Sequence, residues 1–134
     1  MARFVWTAGA GWAAVILSLI LIALPYWFRR HPIRAGAQPM FYLRRLRPHF
    51  WLAYLLVGLS LVHVYLVMGP AMVRADRIGV LAATLAFCLL FLQVLLGLYL
   101  QTQAISRRRT VQRWHFVGML CFVAMVAAHV WRNG

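Results

Sequence analysis

Four long apolar stretches fill most of this chain, and they constrain its fold more than any other feature. They cover approximately residues 4–28, 49–72, 78–104 and 111–131. Because a helix of about 20 apolar residues crosses the ~30 Å hydrocarbon core of a bilayer, each stretch is long enough to span a membrane. Lipid offers no hydrogen bonds, so backbone groups must be satisfied within each span. The sequence therefore predicts an all-α fold, a four-helix transmembrane bundle with up-down-up-down topology.

Composition leaves little of the chain outside the bilayer. Hydrophobic residues make up 65% of the 134 residues, and charged residues only 11%. Soluble domains carry about 25% charged residues, so no soluble catalytic domain is expected. Neither a G-x-G-x-x-G nor a P-loop motif occurs. We expect a single membrane domain over residues 1–134, with any chemistry within the membrane or at its edge.

Arginine supplies all fourteen basic residues and lies mainly between the apolar stretches. Six arginines fall in residues 29–48 and four in residues 105–113. These ten would lie on one side of the membrane, and the remaining four arginines on the opposite side. The positive-inside rule makes these two loops cytoplasmic and puts both termini outside a bacterial-type inner membrane. The net charge of +13 thus indicates contact with membrane lipid rather than nucleic acid. The only acidic residue, Asp76, is a candidate for a proton-coupled role on the outer side, although an ion pair with Arg74 or Arg77 is the favoured expectation.

Four of the five histidines form two matched pairs. His49 and His63 lie fourteen residues apart in the second stretch, as His115 and His129 do in the fourth, and both pairs open with Arg-x-His-Phe. At ~100° per residue, fourteen residues end about 40° short of four turns, so both histidines of a pair face one side, roughly 21 Å apart. Since the second and fourth helices run parallel in this topology, His49 and His115 share the cytoplasmic level. His63 and His129 share the outer level.

Two histidines at each level are what two bis-histidine haems require, with one axial imidazole from each helix. For any single histidine within a span, a hydrogen bond to a neighbouring helix is an alternative explanation to haem ligation. A non-haem metal is a weaker alternative, because two imidazoles leave zinc short of ligands and the spans hold no carboxylate. A histidine proton relay would not need paired levels. Cys88 and Cys121 form no C-x-x-C-H motif, so the haem would be non-covalent haem b.

Small residues recur at the same spacing on the other two helices, as Gly9 with Ala23 and Ala83 with Gly97. Such residues permit close approach, so Gly9 and Gly97 are candidate contacts for haem edges, although ordinary helix packing uses the same residues. Haem propionates need cationic partners. The candidates are the arginines nearest the histidines, Arg47, Arg113 and Arg132.

These residues resemble the four-helix haem core of the respiratory cytochrome b family. In that family, the second and fourth helices each carry two histidines at about this spacing, and glycines on the first and third helices face the haems. Only one glycine of each pair matches the family pattern, because Ala23 and Ala83 replace the other two glycines. The arrangement is also similar to ferric reductase-type transmembrane domains and to b-type anchor subunits. The chain shows no Pro-Glu-Trp-Tyr quinol-oxidation motif and no flavin or nicotinamide domain.

The resemblance implies a transmembrane electron-transfer subunit that carries two haem b groups. Electrons would pass across the bilayer between a partner redox subunit and a quinone or second redox partner. The expected partners are iron–sulfur, flavin or cytochrome subunits of a respiratory oxidoreductase, in which this chain is one subunit rather than a complete enzyme. The alternative is a haem-free structural or assembly subunit of a membrane complex. A small efflux pump is disfavoured because no Asp or Glu occurs in any span.

Overall fold

The computed structural model describes residues 2–31, 46–68, 75–102 and 105–133, and every regular element within them is a helix. Each helix contains a segment long and apolar enough to cross a membrane. The predictions of an all-α fold and of a multi-pass membrane protein are confirmed. The helices are α1 (Ala2–Arg30), α2 (Arg47–Val67), α3 (Arg77–Thr102) and α4 (Ile105–Asn133).

One helix boundary differs clearly from the prediction. Residues 105–110 were expected to be part of a loop, but α4 begins at Ile105 and includes the Arg107–Arg109 run. Arginine is a good helix former, so a helix can continue beyond the apolar stretch into the headgroup region. Pro48 lies in the first turn of α2, where its missing N–H has no partner within the helix in any case. Residues 32–45 of the first predicted loop, and Arg74, lie outside the described residues.

The chain divides into two compact units, Met1–Leu66 and Val67–Gly134. Each unit combines one helix that has no histidine with one that carries a histidine pair, α1 with α2 and α3 with α4. In the second unit, the start of α3 contacts the end of α4 through a hydrogen bond between Gly79 and His129. In the first, a hydrogen bond joins the start of α1 to the end of α2, between Thr7 and His63. The two helices of each unit therefore run antiparallel.

Buried side chains are few among the described residues, as expected where helices meet lipid, and most of them are leucine or alanine. On α3 they form a single stripe at helical spacing, Gly79, Ala82, Ala86 and Leu90. Small residues at spacings of three and four let two helices approach closely, and the buried Gly118 and Phe122 of α4 belong to the same unit. Large apolar side chains point outward elsewhere, and Trp131 is 88% exposed. The outward aromatic and aliphatic surface fits a hydrocarbon environment.

Candidate functional site

His63, which the sequence predicts at the outer level, is held by α1. Its Nδ1 lies 3.1 Å from the carbonyl oxygen of Thr7. A carbonyl can only accept, so Nδ1 carries a proton, and in the neutral ring Nε2 carries the lone pair with which imidazole ligates a metal. Gly11 lies under the ring, where an added Cβ would be 3.0 Å from Cε1 and 3.2 Å from Nδ1. Glycine at this position lets the imidazole lie directly against the α1 backbone.

His129, the other histidine predicted at the outer level, has the same arrangement in the second unit. Its Nδ1 lies 3.0 Å from the carbonyl oxygen of Gly79, in the first turn of α3. The carbonyl again assigns the proton to Nδ1 and the lone pair to Nε2. In each unit, the second histidine of the pair thus donates to a backbone carbonyl of the neighbouring helix. Such a bond orients a ligand imidazole and raises its basicity.

His49, at the predicted inner level, contacts α1 at a backbone carbonyl that lacks its usual helical donor because of a proline. Its ring forms a hydrogen bond with the backbone of Leu21. In a regular helix the Leu21 carbonyl would accept from the N–H of residue 25, but residue 25 is Pro25, which has none. The carbonyl is therefore available to a side-chain donor from a neighbouring helix. Nδ1 of His49 is buried and has no partner in the part of the chain that the structure describes.

His115 lies opposite a glycine that the sequence singled out. A Cβ at Gly97 would lie 3.9 Å from Cε1 of His115, an ordinary van der Waals contact. Gly9, in contrast, is exposed, and an added Cβ would meet no atom within 4 Å. Sequence reasoning missed Gly11, the glycine of α1 that contacts a histidine. Spacing alone could not distinguish Gly9 from Gly11, because the choice depends on how α1 is rotated toward α2. As haem contacts, Gly9 and Gly97 stay predictions.

The three arginines proposed as propionate partners lie in different environments. Arg47 and Arg113 are exposed and form no ion pair within the described ranges. Arg132 is already engaged, since its Nε and Nη2 donate to the two carboxylate oxygens of Asp76, each at 2.9 Å. The expected pairing of Asp76 with Arg77 is therefore wrong. The antiparallel α3–α4 pair brings residue 132 beside residue 76, which sequence proximity could not indicate.

The ion pair sets the protonation of Asp76. The hydrogen bond from Arg132, followed by one from the Gly79 N–H, lowers the pKa of Asp76 from 3.8 to about 2. The carboxylate is therefore ionised at neutral pH. A group with this pKa does not exchange protons near neutrality.

Two more polar side chains lie in confined positions. The amide oxygen and nitrogen of Gln93, within α3, are both buried and have no partner among the described residues. The amide rests against Gly118 of α4, where any Cβ would overlap it. Nε of Arg108, in the first turn of α4, is also buried and lacks a partner in the described ranges. Within the part of the chain that the structure describes, these two groups have unused hydrogen-bonding capacity.

The described residues could offer a bound metal ion only a few protein ligands. Within the ranges that the structure describes, no three His, Cys, Asp or Glu side chains gather as a metal site. A haem iron needs only two axial ligands from the protein. Comparison of the chain with protein-family models, curated proteins and solved structures finds no match.

Proposed function

We propose that this chain is a transmembrane electron-transfer subunit that binds two haem b groups. The observation that carries the proposal is the matched histidine pairs on α2 and α4, together with the Nδ1–carbonyl bond that both outer members make. A histidine that ligates a metal through Nε2 almost always donates its other ring N–H to a carbonyl, carboxylate or water. His63 and His129 each have that hydrogen bond.

The protein's part in the chemistry is to hold and tune the cofactor. Haem b supplies one-electron chemistry when it is bound. His63 and His129 would hold the outer haem, and His49 and His115 the inner one. The Nδ1 bonds keep the outer imidazoles in one tautomer and one orientation, and the added basicity favours the ferric state. The apolar surface of the four helices provides the low-dielectric surroundings in which the carriers work.

Cations near the histidines would neutralise the haem propionates. Arg47 and Arg113 each lie two residues before an inner histidine, and both are exposed. Arg108 adds a buried guanidinium nitrogen with no partner in the described ranges. Arg132 already gives its hydrogen bonds to Asp76, so it is the weakest of the candidates. Arginine suits this role because its planar donors match a carboxylate.

Electron transfer across a bilayer needs a partner on each side. The candidates are an iron–sulfur, flavin or cytochrome subunit on one face and a quinone or second redox partner on the other. By the positive-inside rule, the arginine distribution would put the first connection and the start of α4 at the cytoplasmic face of an inner membrane, with both termini outside. The chain would then be one subunit of an oxidoreductase.

A reduced-minus-oxidised absorption spectrum of the purified protein tests the cofactor. We expect b-type bands, and we expect His63→Ala and His129→Ala each to remove the outer haem while retaining the inner one. His31→Ala is the matched control, because His31 follows α1 and belongs to neither pair. Absence of b-type bands would sink the proposal. Loss of the same haem in His49→Ala and His63→Ala would contradict the assignment of levels.

The second candidate function is a haem-free structural subunit of a membrane complex. It is favoured by the same hydrogen bonds, because a histidine that donates to a neighbouring helix also holds two helices together. A protein without b-type bands that copurifies with partner subunits, and that loses stability in His63→Ala, would support it.

A further inference from the structure

A polar cluster joins the start of α3 to the end of α4. It consists of Asp76, Arg132 and Asn133, and we call it the outer clasp. Arg132 binds both carboxylate oxygens of Asp76 at 2.9 Å. The Asp76 N–H donates to Oδ1 of Asn133, also at 2.9 Å. The last turn of α4 is thus fixed to the residue that precedes α3 by both its side chain and its backbone.

Asp76 also organises the first turn of α3. Its Oδ2 accepts from the Gly79 N–H at 3.0 Å, which is an N-cap bond, and its carbonyl accepts from the Val80 N–H at 2.9 Å. The Val80 N–H and the Gly79 carbonyl belong to one planar peptide group. Fixing the direction of this N–H therefore fixes the direction of the carbonyl that binds Nδ1 of His129.

Gly79 contacts both the outer clasp and the imidazole of His129. It is buried, and an added Cβ would overlap the Asn133 amide and lie 3.0 Å from Cβ of Arg132. A side chain here would push the end of α4 away from the turn. The clasp, the capped turn and the His129 bond therefore depend on one another through this residue.

We propose that the outer clasp is a positioning device for His129. It holds the Gly79 carbonyl where it takes the Nδ1 proton, so that the imidazole keeps its lone pair on Nε2. The consequence for haem rests on the proposed function, whereas the consequence for the imidazole proton does not. The first unit cannot repeat the device around His63, because Asp76 is the only acidic residue in the chain. The two axial ligands of the outer haem are thus held differently.

The protonated ring nitrogen of His129 gives a direct test. Nitrogen-15 magnetic resonance on the full-length, haem-free chain, labelled at histidine, reads this proton, and a His129→Gln variant assigns the signal. We expect Nδ1–H alone in the wild type, and a mixture with Nε2–H in Asp76→Ala and Arg132→Gln. Arg77→Gln is the matched control, because it removes a charge from the same end of α3 at an exposed position. We expect it to leave the signal unchanged.

The Arg132→Gln variant guards against loss of folding, because it leaves the N-cap bond of Asp76 in place. An unchanged His129 signal in Arg132→Gln and Asp76→Ala would overturn the inference and make the clasp a purely structural link. A purely structural link would lower thermal stability without changing the protonated nitrogen.

The haem-loaded protein supplies the second measurement. Loss of the clasp should weaken retention of the outer haem by about 10–100-fold and raise its midpoint potential, as loss of a ligand's hydrogen bond does. The inner haem should not change. If b-type bands are absent, the proposed function fails while the result on the His129 proton stands. If bands are present and the outer potential is the same in Arg132→Gln, the inference fails and the proposed function stands.

Discussion

Two glycines of α1, only two residues apart, provide the sharpest test of how α1 meets α2. A Cβ added at Gly11 would lie 3.0 Å from Cε1 of His63 and 3.2 Å from Nδ1, whereas one at Gly9 would meet no atom within 4 Å. Replacement by alanine raises helix propensity by about 1 kcal/mol at either site. Overpacking costs about 1–3 kcal/mol, and only at residue 11. We therefore expect Gly9→Ala to be more stable than Gly11→Ala by roughly 1–3 kcal/mol.

The hydrogen bond of His63 adds to this difference. Its ring cannot retreat from a new methyl group without lengthening the 3.1 Å contact with Thr7. Hydrogen bonds between membrane helices contribute about 0.6 kcal/mol on average, so the contact is a small part of the whole. Equilibrium unfolding in mixed detergent micelles measures both variants against the wild type. Equal unfolding free energies for the two alanine variants would refute the placement of His63 on Gly11.

A larger substitution at residue 9 tests the sequence-based prediction that a haem edge packs on Gly9. If that prediction holds, Gly9→Leu in the haem-loaded protein should weaken one b-type band without lowering the stability of the haem-free chain. Gly11→Ala should act on the haem-free chain through His63. A Gly9→Leu spectrum identical to that of the wild type would remove Gly9 from the haem site.

Three more perturbations follow from single contacts. Pro25→Ala restores the helical hydrogen bond to the Leu21 carbonyl. The unfolding free energy of the haem-free chain should therefore rise by up to about 3 kcal/mol, and the magnetic resonance signal of His49 should shift. An unshifted signal would argue against the hydrogen bond between His49 and Leu21. Gln93→Leu removes a buried amide that lacks a partner in the described ranges, so unfolding measurements should show a gain of roughly 1–3 kcal/mol, and a loss would mean that the amide is satisfied. The folded pKa of Asp76 lies below its usual 3.8, so its stabilising effect should be present above pH 3.8 and disappear as the pH falls through about 2. Thermal unfolding across that window should show the loss in the wild type and not in Asp76→Asn.

The α4 helix shows why the sequence predicts the apolar middle of a helix better than it predicts the helix ends. The apolar run that begins at residue 111 indicated where the span lies, and the helix does contain it. Its start at Ile105 depends on the helix propensity of an arginine run, which the apolar pattern does not report. Pro25 is a similar case, because the sequence placed a proline within a span. Only the position of His49 shows that the open Leu21 carbonyl has a donor.

The sequence by itself determined the all-α fold, the four spans and the pairing of histidines along α2 and α4. These properties follow from local quantities, namely the length of apolar runs and the 3.6-residue period of a helix. Tertiary structure decided that His63 lies on Gly11 rather than Gly9 and that Asp76 pairs with Arg132. It also decided that the imidazoles of His63 and His129 donate to backbone carbonyls. Those contacts join residues 50 to 56 positions apart in the chain. They depend on the rotation of each helix about its own axis, which a uniformly apolar surface leaves undetermined until two helices pack.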